Sequence, residues 1–464
     1  MPPNFTAAYN DASPIAAIAT ASGKSALAIV RTSGKGSIEL LSRIFSSPQK
    51  LLATRGNTVV YGWIIDGTKK IDEVLISVYR SPSSFTGEDS ADINCHGGNT
   101  APDAVLKTLF KAGFRQALPG EFSLRGFING KSDLTKAESI MEIVCAKTDA
   151  ERYNAVSRLN GSLEKQINKI KNDILAVLSG IEILLDYSEL DGVGDGGENG
   201  LSAEQTDKLK CILDEISLLL ESYRVQNIYR TGALVVIAGQ ANAGKSSLFN
   251  LMLKSDRSIV TDIPGTTRDW VDDFIVIENI PLRIVDTAGL RTSAETVEKI
   301  GIERSLDLIC SADLVLYVID AEKGITDYDK NFLQTHKECN KLLLWNKCDI
   351  KHCGKVERYI NVSAKTTEGF SGLCKKIAST IRKNSGITES AQSQLTLGSE
   401  RQKILAETAY NNINHALQAN AGDMPLDIIS PLIREALNAL GLITGEVSTA
   451  DILQEMFSKF CVGK

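Results

Sequence analysis

The sequence predicts a multidomain protein of α/β + α class: an N-terminal α/β domain, then a helical domain interrupted by a second α/β domain with a mostly parallel sheet. Three observations predict it. Short runs rich in β-branched residues and bounded by turn formers occupy the first 125 residues. Helical periodicity takes over near residue 134 and returns after residue 400. Between those stretches, apolar strand-like runs alternate with helical ones, the pattern of parallel strands joined by crossover helices.

Within residues 1–125, segments 25–30 (SALAIV), 58–65 (TVVYGWII) and 74–79 (VLISVY) read as strands. Residues 103–112 read as a helix between a proline and a glycine. Residues 134–186 and 202–228 carry apolar side chains at helical spacing, as in Ile167, Ile170, Ile174 and Leu175. Residues 191–200 (DGVGDGGENG) separate them. This acidic, glycine-rich stretch has nothing to bury and reads as a mobile loop. From residue 233 to 383, strands are expected at 234–238, 282–285, 314–319, 342–345 and 360–362, with helices on both faces of their sheet. Residues 385–396 are polar and linker-like, and the helical pattern from 400 to 460 is broken near Gly422 and Gly445. The expected domains are therefore 1–125, a first helical part 126–227, the α/β insert 228–385 and a second helical part 386–464. No internal repeat is evident.

The 464 residues leave room for roughly two to four domains of ordinary size. A hydrophobic content of 43% and a charged content of 23% are those of an ordinary soluble globular protein. A net charge of −6 argues against blanket coating of nucleic acid, while leaving room for a local basic patch. Nine scattered cysteines form no CxxC pair, so neither a zinc motif nor a disulfide framework is legible, and four histidines argue against a histidine-rich metal site. The odd cysteine count fits a reducing compartment. The N-terminus lacks the basic start and compact apolar run of a signal peptide. The longest apolar stretch, 174–185, is interrupted by Ser179, Gly180 and Glu182 and falls short of the about 20 residues that span a bilayer. A cytoplasmic protein with no membrane partner is expected.

Residues 239–246 read GQANAGKS, which fits GxxxxGK[ST]. The motif follows the strand-like LVVIA and precedes a helical segment, the context it requires. Its glycines let backbone N–H groups wrap phosphates, and the helix N-terminus adds a favourable field. Asn242, Ala243, Gly244, Lys245, Ser246 and Ser247 are thus expected around a nucleotide's phosphates. Lys245 would reach the β and γ phosphates, and the Ser246 hydroxyl would ligate Mg²⁺. Asp286, Thr287, Ala288 and Gly289 (DTAG) follow the next strand, offering a carboxylate to magnesium through water and an amide that senses the γ-phosphate. Residues 346–349 (NKCD) follow LLLW. Asp349 there can accept both N1–H and the 2-amino group of guanine, a pair adenine lacks. Asn346 and Lys347 belong to the same motif. Ser363, Ala364 and Lys365 follow another strand and would support the base through the backbone. Residues 265–269 (GTTRD) lie where a switch loop belongs, with Thr267 as the second magnesium hydroxyl. In this order after successive strands, the set is specific for a GTP-hydrolysing domain of Ras-like P-loop type.

Leu290 follows DTAG where many small GTPases place a glutamine that orients water. Some other group must position the water and neutralise developing charge. On loop geometry alone two readings of Asn242 stand equal: it braces the loop, or its carbonyl oxygen binds a monovalent cation.

The chain resembles the bacterial tRNA-modification GTPases of the MnmE (TrmE) family along nearly its whole length. The resemblance rests on IAAIAT (15–20), FTGED (85–89), CHGG (95–98), PGEFSLRGFINGKSDL (119–134), the GTPase motifs, the stretch from DTAGLR to EKIGIERS (286–305) and the terminal FCVGK (460–464). It implies an N-terminal domain that dimerises and binds 5-formyl- or 5,10-methylene-tetrahydrofolate, and a helical domain interrupted by the G domain. It also implies a homodimer that works with the flavoprotein MnmG (GidA) to modify carbon 5 of the wobble uridine of certain tRNAs. GTP hydrolysis would be activated by K⁺ as two G domains meet. By position, Asn242 and the backbone oxygens of Thr261, Ile263 and Thr266 would hold K⁺, with Thr261 and Thr266 also beside the nucleotide. Glu298 would orient the attacking water. Arg31, Glu88, Lys131 and Lys464 would contact the folate. Cys461, near the end of a tail expected to be flexible, would serve the modification chemistry, with nucleophile and general acid both open. Two departures stand out: Ala241 replaces the family's usual proline, and the 191–200 loop is longer and richer in glycine. A ribosome-assembly or regulatory GTPase switch is the alternative reading.

Overall fold

In a computed structural model, residues 13–190, 200–255, 272–286, 308–351, 359–386, 396–446 and 450–463 are described. By their internal contacts they fall into two compact units. The first comprises Met1–Met141, Glu164–Leu175 and Ile433–Lys464; the second comprises Glu142–Leu163 and Ala176–Leu432.

The first unit is built on six strands: β1 (Ile15–Ile18), β2 (Leu27–Ser33), β3 (Thr58–Asp66), β4 (Lys69–Tyr79), β5 (Ser90–His96) and β6 (Arg115–Gln116). They lie in the order β3-β4-β5-β2-β1-β6. All pairs are antiparallel except β1 with β6. The expected strands at 25–30, 58–65 and 74–79 fall on β2, β3 and β4. The central strand β5 (SADINCH) is not legible as such in the sequence. Its buried Ala91, Ile93 and Cys95 alternate with polar Asp92, Asn94 and His96, a period of two carried by few apolar atoms. The expected helix at 103–112 runs Thr100–Ala112. It begins earlier because Pro102 sits in the first turn, where a missing N–H has no partner to lose. Its Val105 and Leu109 are buried with Ile38, Leu41, Phe45, Ile76 and Ile93.

A second cluster in this unit joins helix Glu121–Ile128 to helix Ala450–Ser458. Leu124, Leu134, Ala137, Leu453, Met456, Phe457 and Phe460 pack together. Gly120 is forced here. Its φ is 68°, and a Cβ would lie 2.6 Å from the Phe457 carbonyl oxygen.

The second unit holds strands β7 (Ala233–Gly239), β8 (Asp272–Ile277), β9 (Ile280–Asp286), β10 (Leu314–Asp320), β11 (Lys341–Asn346) and β12 (Tyr359–Val362), in the order β12-β11-β10-β7-β9-β8. Every pair is parallel except β8 with β9. All five expected strands are present. β7, β10 and β11 read as continuous apolar runs because both faces are covered. The strand not expected, β8, is an antiparallel edge. Its hairpin turns on Glu278 and Asn279, with φ of 50° and 62°. That conformation usually advertises itself as Asn-Gly, and no glycine is present.

Also in this unit, helix Ala203–Thr231 packs along helix Glu400–Ala421. Ser202 opens the former with a reciprocal capping box to Gln205. Buried Arg158 donates to Glu142 and to the Thr396 carbonyl oxygen, tying segments on both sides of the α/β insert. Among the described residues, no helix is long and apolar enough to cross a membrane.

Candidate functional site

The parallel strands of the second unit bring their motif residues to one edge. Pairing sets Ile237 opposite Asp286, Gly239 opposite Val318, Asp320 opposite Asn346, and Asn346 opposite Val362. All lie at the carboxyl ends of their strands, where open α/β sheets bind ligands.

The loop after β7 is shaped by backbone requirements. Asn242 has φ 64° and Gly244 has φ 93°. A Cβ on Gly244 would lie 2.1 Å from Asn346 Nδ2, so the glycine makes room for that contact. Asn346 then acts as a strut. Its Nδ2 donates to the Ala243 carbonyl oxygen (2.8 Å), and its Oδ1 accepts from the Ala364 amide (3.1 Å). One side chain thereby fixes the phosphate-type loop against the 363–365 loop. Ser363 Oγ accepts from the amides of Lys365 (3.3 Å) and Thr366 (3.1 Å), curling the latter loop on itself.

Lys245 is buried, and its ammonium donates to the carbonyl oxygens of Gly239 (2.9 Å) and Gln240 (2.7 Å). It thus spans the mouth of the loop. Ser246 and Ser247 are exposed at the start of helix Lys245–Ser255. Ser246 Oγ donates to Asp286 Oδ2 at 2.8 Å. Two hard oxygen donors from separate elements therefore meet beside the helix N-terminus, a donor set suited to Mg²⁺.

Asp349 is exposed on the turn after β11. That turn is held from both sides. Lys347, at φ 66°, pairs with Asp320 at 2.6 Å, and the Cys348 amide donates to the Val362 carbonyl oxygen at 3.3 Å. Burial pushes the Asp320 carboxyl up, but the Lys347 ammonium and the Glu322 amide outweigh it and hold the pKa below the ordinary value. Sequence reasoning missed Asp320, though its place at the end of an apolar strand is a usable signal. It missed Gln240 too, which bonds to Thr326 Oγ1.

In the first unit, Arg31 pairs with Asp92 through two bonds of 2.8 and 3.2 Å and donates a third, 3.3 Å, to the Gly463 carbonyl oxygen. Residues 460–463 are anchored rather than loose. Phe460 is in the core, the Gly120 amide donates to the Cys461 carbonyl oxygen, and Gly463 lies against β1, where a Cβ would meet Ile18 O at 2.7 Å. The tail expected to be flexible is therefore seated beside Arg31, with the Cys461 thiol exposed. Glu88 accepts from Ser33 Oγ (2.8 Å) and Arg125 (3.1 Å). Lys131 is exposed, its stem close to Gly87 one residue from Glu88. Arg125, unremarked in the sequence, also pairs with buried Glu121 at 3.0 Å.

Burial raises the Glu121 pKa, but hydrogen bonds from Arg115 and the Leu118 amide, with the Arg125 charge, bring it net below the ordinary glutamate value. The ionised form is therefore favoured by folding. This contribution is complete above the unfolded value and is lost as pH falls through the lower folded one. Hydrogen-exchange protection of helix Glu121–Ile128 should drop below about pH 4.5, and Glu121→Gln should flatten that dependence. An equal drop in the variant would assign the effect elsewhere.

Thr261, Ile263, Thr266, Thr267, Thr287, Ala288, Gly289, Glu298 and Lys464 lie outside the described residues.

Residues 134–461 match the family model described as MnmE helical domain, and residues 14–131 match that described as GTP-binding protein TrmE N-terminus. A Treponema denticola protein named tRNA modification GTPase MnmE is 41% identical, covering 98% of this chain and 99% of its own. A protein of the same name from Carboxydothermus hydrogenoformans is 39% identical over 97% and 99%. A crystal structure of Aquifex aeolicus Era shares 21% identity over 39% of this chain and 66% of its own, with a TM-score of 0.26, too low to bear on function.

Proposed function

This chain belongs to the MnmE family of tRNA modification GTPases, and from that premise we propose how its residues carry the activity. It is a GTP-hydrolysing enzyme involved in tRNA modification, with GTP and Mg²⁺ taking part. The finer reading is a K⁺-dependent, cytoplasmic homodimer. With the flavoprotein MnmG it modifies carbon 5 of the wobble uridine of certain tRNAs, using a tetrahydrofolate one-carbon donor. Residues 1–125 serve folate binding and dimerisation, 228–385 form the G domain, and 126–227 with 386–464 form the helical domain.

Backbone amides of residues 242–247 cradle the phosphates, and Lys245 moves from its carbonyl partners onto phosphate oxygens. Ser246 and Thr267 hold Mg²⁺, with Asp286 behind them, and residues 287–289 face the γ-phosphate. Asp349 reads guanine on a turn braced by Lys347, while Asn346 locks that turn to the phosphate loop through 363–365. Asn242, exposed and in left-handed backbone, offers an amide oxygen that suits K⁺ together with Thr261, Ile263 and Thr266. Glu298 orients the water. Arg31, Lys131 and Lys464 meet the folate's anionic tail and Glu88 accepts from its pterin, with Cys461 at hand. When bound, the metal ions neutralise phosphate charge and the folate supplies the one-carbon unit.

The observation that carries the tRNA-modifying half is the seating of residues 460–463 beside Arg31. A pure GTPase switch has no need of a cysteine-bearing terminal tail whose Gly463 carbonyl oxygen is held by Arg31. Truncation after Phe460 keeps the buried phenylalanine and removes the thiol. Cells carrying it should lose wobble-uridine modification in nucleoside analysis, while the purified variant retains GTP hydrolysis. Unchanged modification would favour the regulatory-switch alternative.

A further inference from the structure

Three side chains unrelated to the nucleotide site converge at the opposite edge of the second unit's sheet. Cys310 lies in the helical turn 308–311 that precedes β10, and His336 and Cys339 lie in the connection that leads into β11. Their ligand atoms, two thiols and one imidazole nitrogen, all lie within 4.8 Å of one another. From this convergence we propose that Cys310, His336 and Cys339 form a zinc site, with three protein ligands and a fourth position open to solvent.

The ligand-bearing turn is already rigid. His336 caps helix Asp327–Thr335, and its amide donates to the Phe332 carbonyl oxygen at 3.0 Å. Its ring lies 4.6 Å from the Phe332 ring, which stacks on Tyr317 at 4.4 Å. The Cys339 amide donates to the His336 carbonyl oxygen at 3.4 Å, and the Lys341 ammonium donates to the carbonyl oxygens of His336 and Lys337. Leu308, Ile309, Phe332, Leu333 and Cys339 all pack on one face of the sheet, so Cys310 faces the turn from a fixed neighbour. Among the described residues, none makes a hydrogen bond to either thiol.

Tetrahedral zinc, with Zn–S about 2.3 Å and Zn–N about 2.0–2.1 Å, needs ligand atoms roughly 3.3–3.8 Å apart. The cluster closes to that spacing by side-chain shifts of about 1 Å. Two thiolates and an imidazole select a borderline-soft ion over magnesium or calcium. Exposed Cys310 leaves an entry path. Binding displaces the two thiol protons to solvent. The bound ion ties the amino ends of β10 and β11 together, away from Asp320 and Asn346 at their carboxyl ends. Spacing alone could not reveal the site, because the third ligand comes from a separate element.

Cobalt titration of chelator-treated, reduced full-length protein tests the proposal. One equivalent should bind with thiolate-to-cobalt absorbance that zinc displaces, releasing about two protons. Cys310→Ser and Cys339→Ser should each weaken this binding at least tenfold, while Cys211→Ser, on helix Ala203–Thr231, leaves it intact. GDP binding by each variant verifies its fold. In the unaltered protein, zinc should also protect Cys310 and Cys339 from alkylation. Cobalt binding of equal affinity in both cysteine variants, no thiolate band in the unaltered protein, or alkylation indifferent to zinc would each overturn it.

Discussion

Asp349→Asn is expected to weaken GTP binding by about 100- to 10,000-fold and to shift preference toward a xanthine nucleotide. In the proposed site the carboxylate accepts two hydrogen bonds from guanine, each worth about 1.5–3 kcal/mol when one partner is charged. Their joint loss converts to that range of affinity. Asparagine keeps the size but turns an N–H₂ toward a donor, and xanthine offers a carbonyl in its place. The change should stay local, because Asp349 is exposed while Lys347 and Cys348 hold the turn through Asp320 and the Val362 carbonyl. Competition binding with GTP and the xanthine nucleotide measures it. A GTP affinity within threefold of the parent would remove Asp349 from base recognition.

Lys245→Ala should lower the GTP hydrolysis rate by about 100- to 1,000-fold, the usual cost of removing one preorganised charge from developing negative oxygens. The ammonium is buried against two loop carbonyls, so it is held within the loop before any nucleotide arrives. Arginine at this position should not restore activity, because a planar fork does not reproduce a compact ammonium that donates to two loop carbonyls. Single-turnover assays at saturating Mg²⁺ separate this loss from weakened binding. An alanine variant hydrolysing at the parent rate would sever the loop from the chemistry.

Much of the second unit is legible in the amino-acid sequence alone. Strands covered on both faces must be apolar throughout, so β7, β10 and β11 stand out, and each motif can be placed at a strand end. The proposed phosphate loop, magnesium hydroxyl and base-reading aspartate follow from that placement. What stays hidden depends on residues distant in sequence. Asp320 matters through Lys347, Arg125 through Glu88, and Asn346 through Ala243 and Ala364. None of these partners sits at a periodic spacing. The strands β5 and β8 escape for a different reason: one is half polar, and the other is an edge strand entering an unadvertised turn. The tail reads as loose because glycine and a terminus favour disorder, yet Phe460 in the core and Gly463 against β1 hold it. The three-residue thiol–imidazole cluster shows the same limit, since its ligands meet only in the fold.

The most direct measurement is calorimetric titration of the folded full-length protein with GDP and with ADP in the presence of Mg²⁺. GDP should bind one per chain and ADP should not, since Asp349 has no donor pair to accept from adenine. Absence of GDP binding, or equal binding of ADP, would contradict guanine-nucleotide recognition at the Lys245 loop.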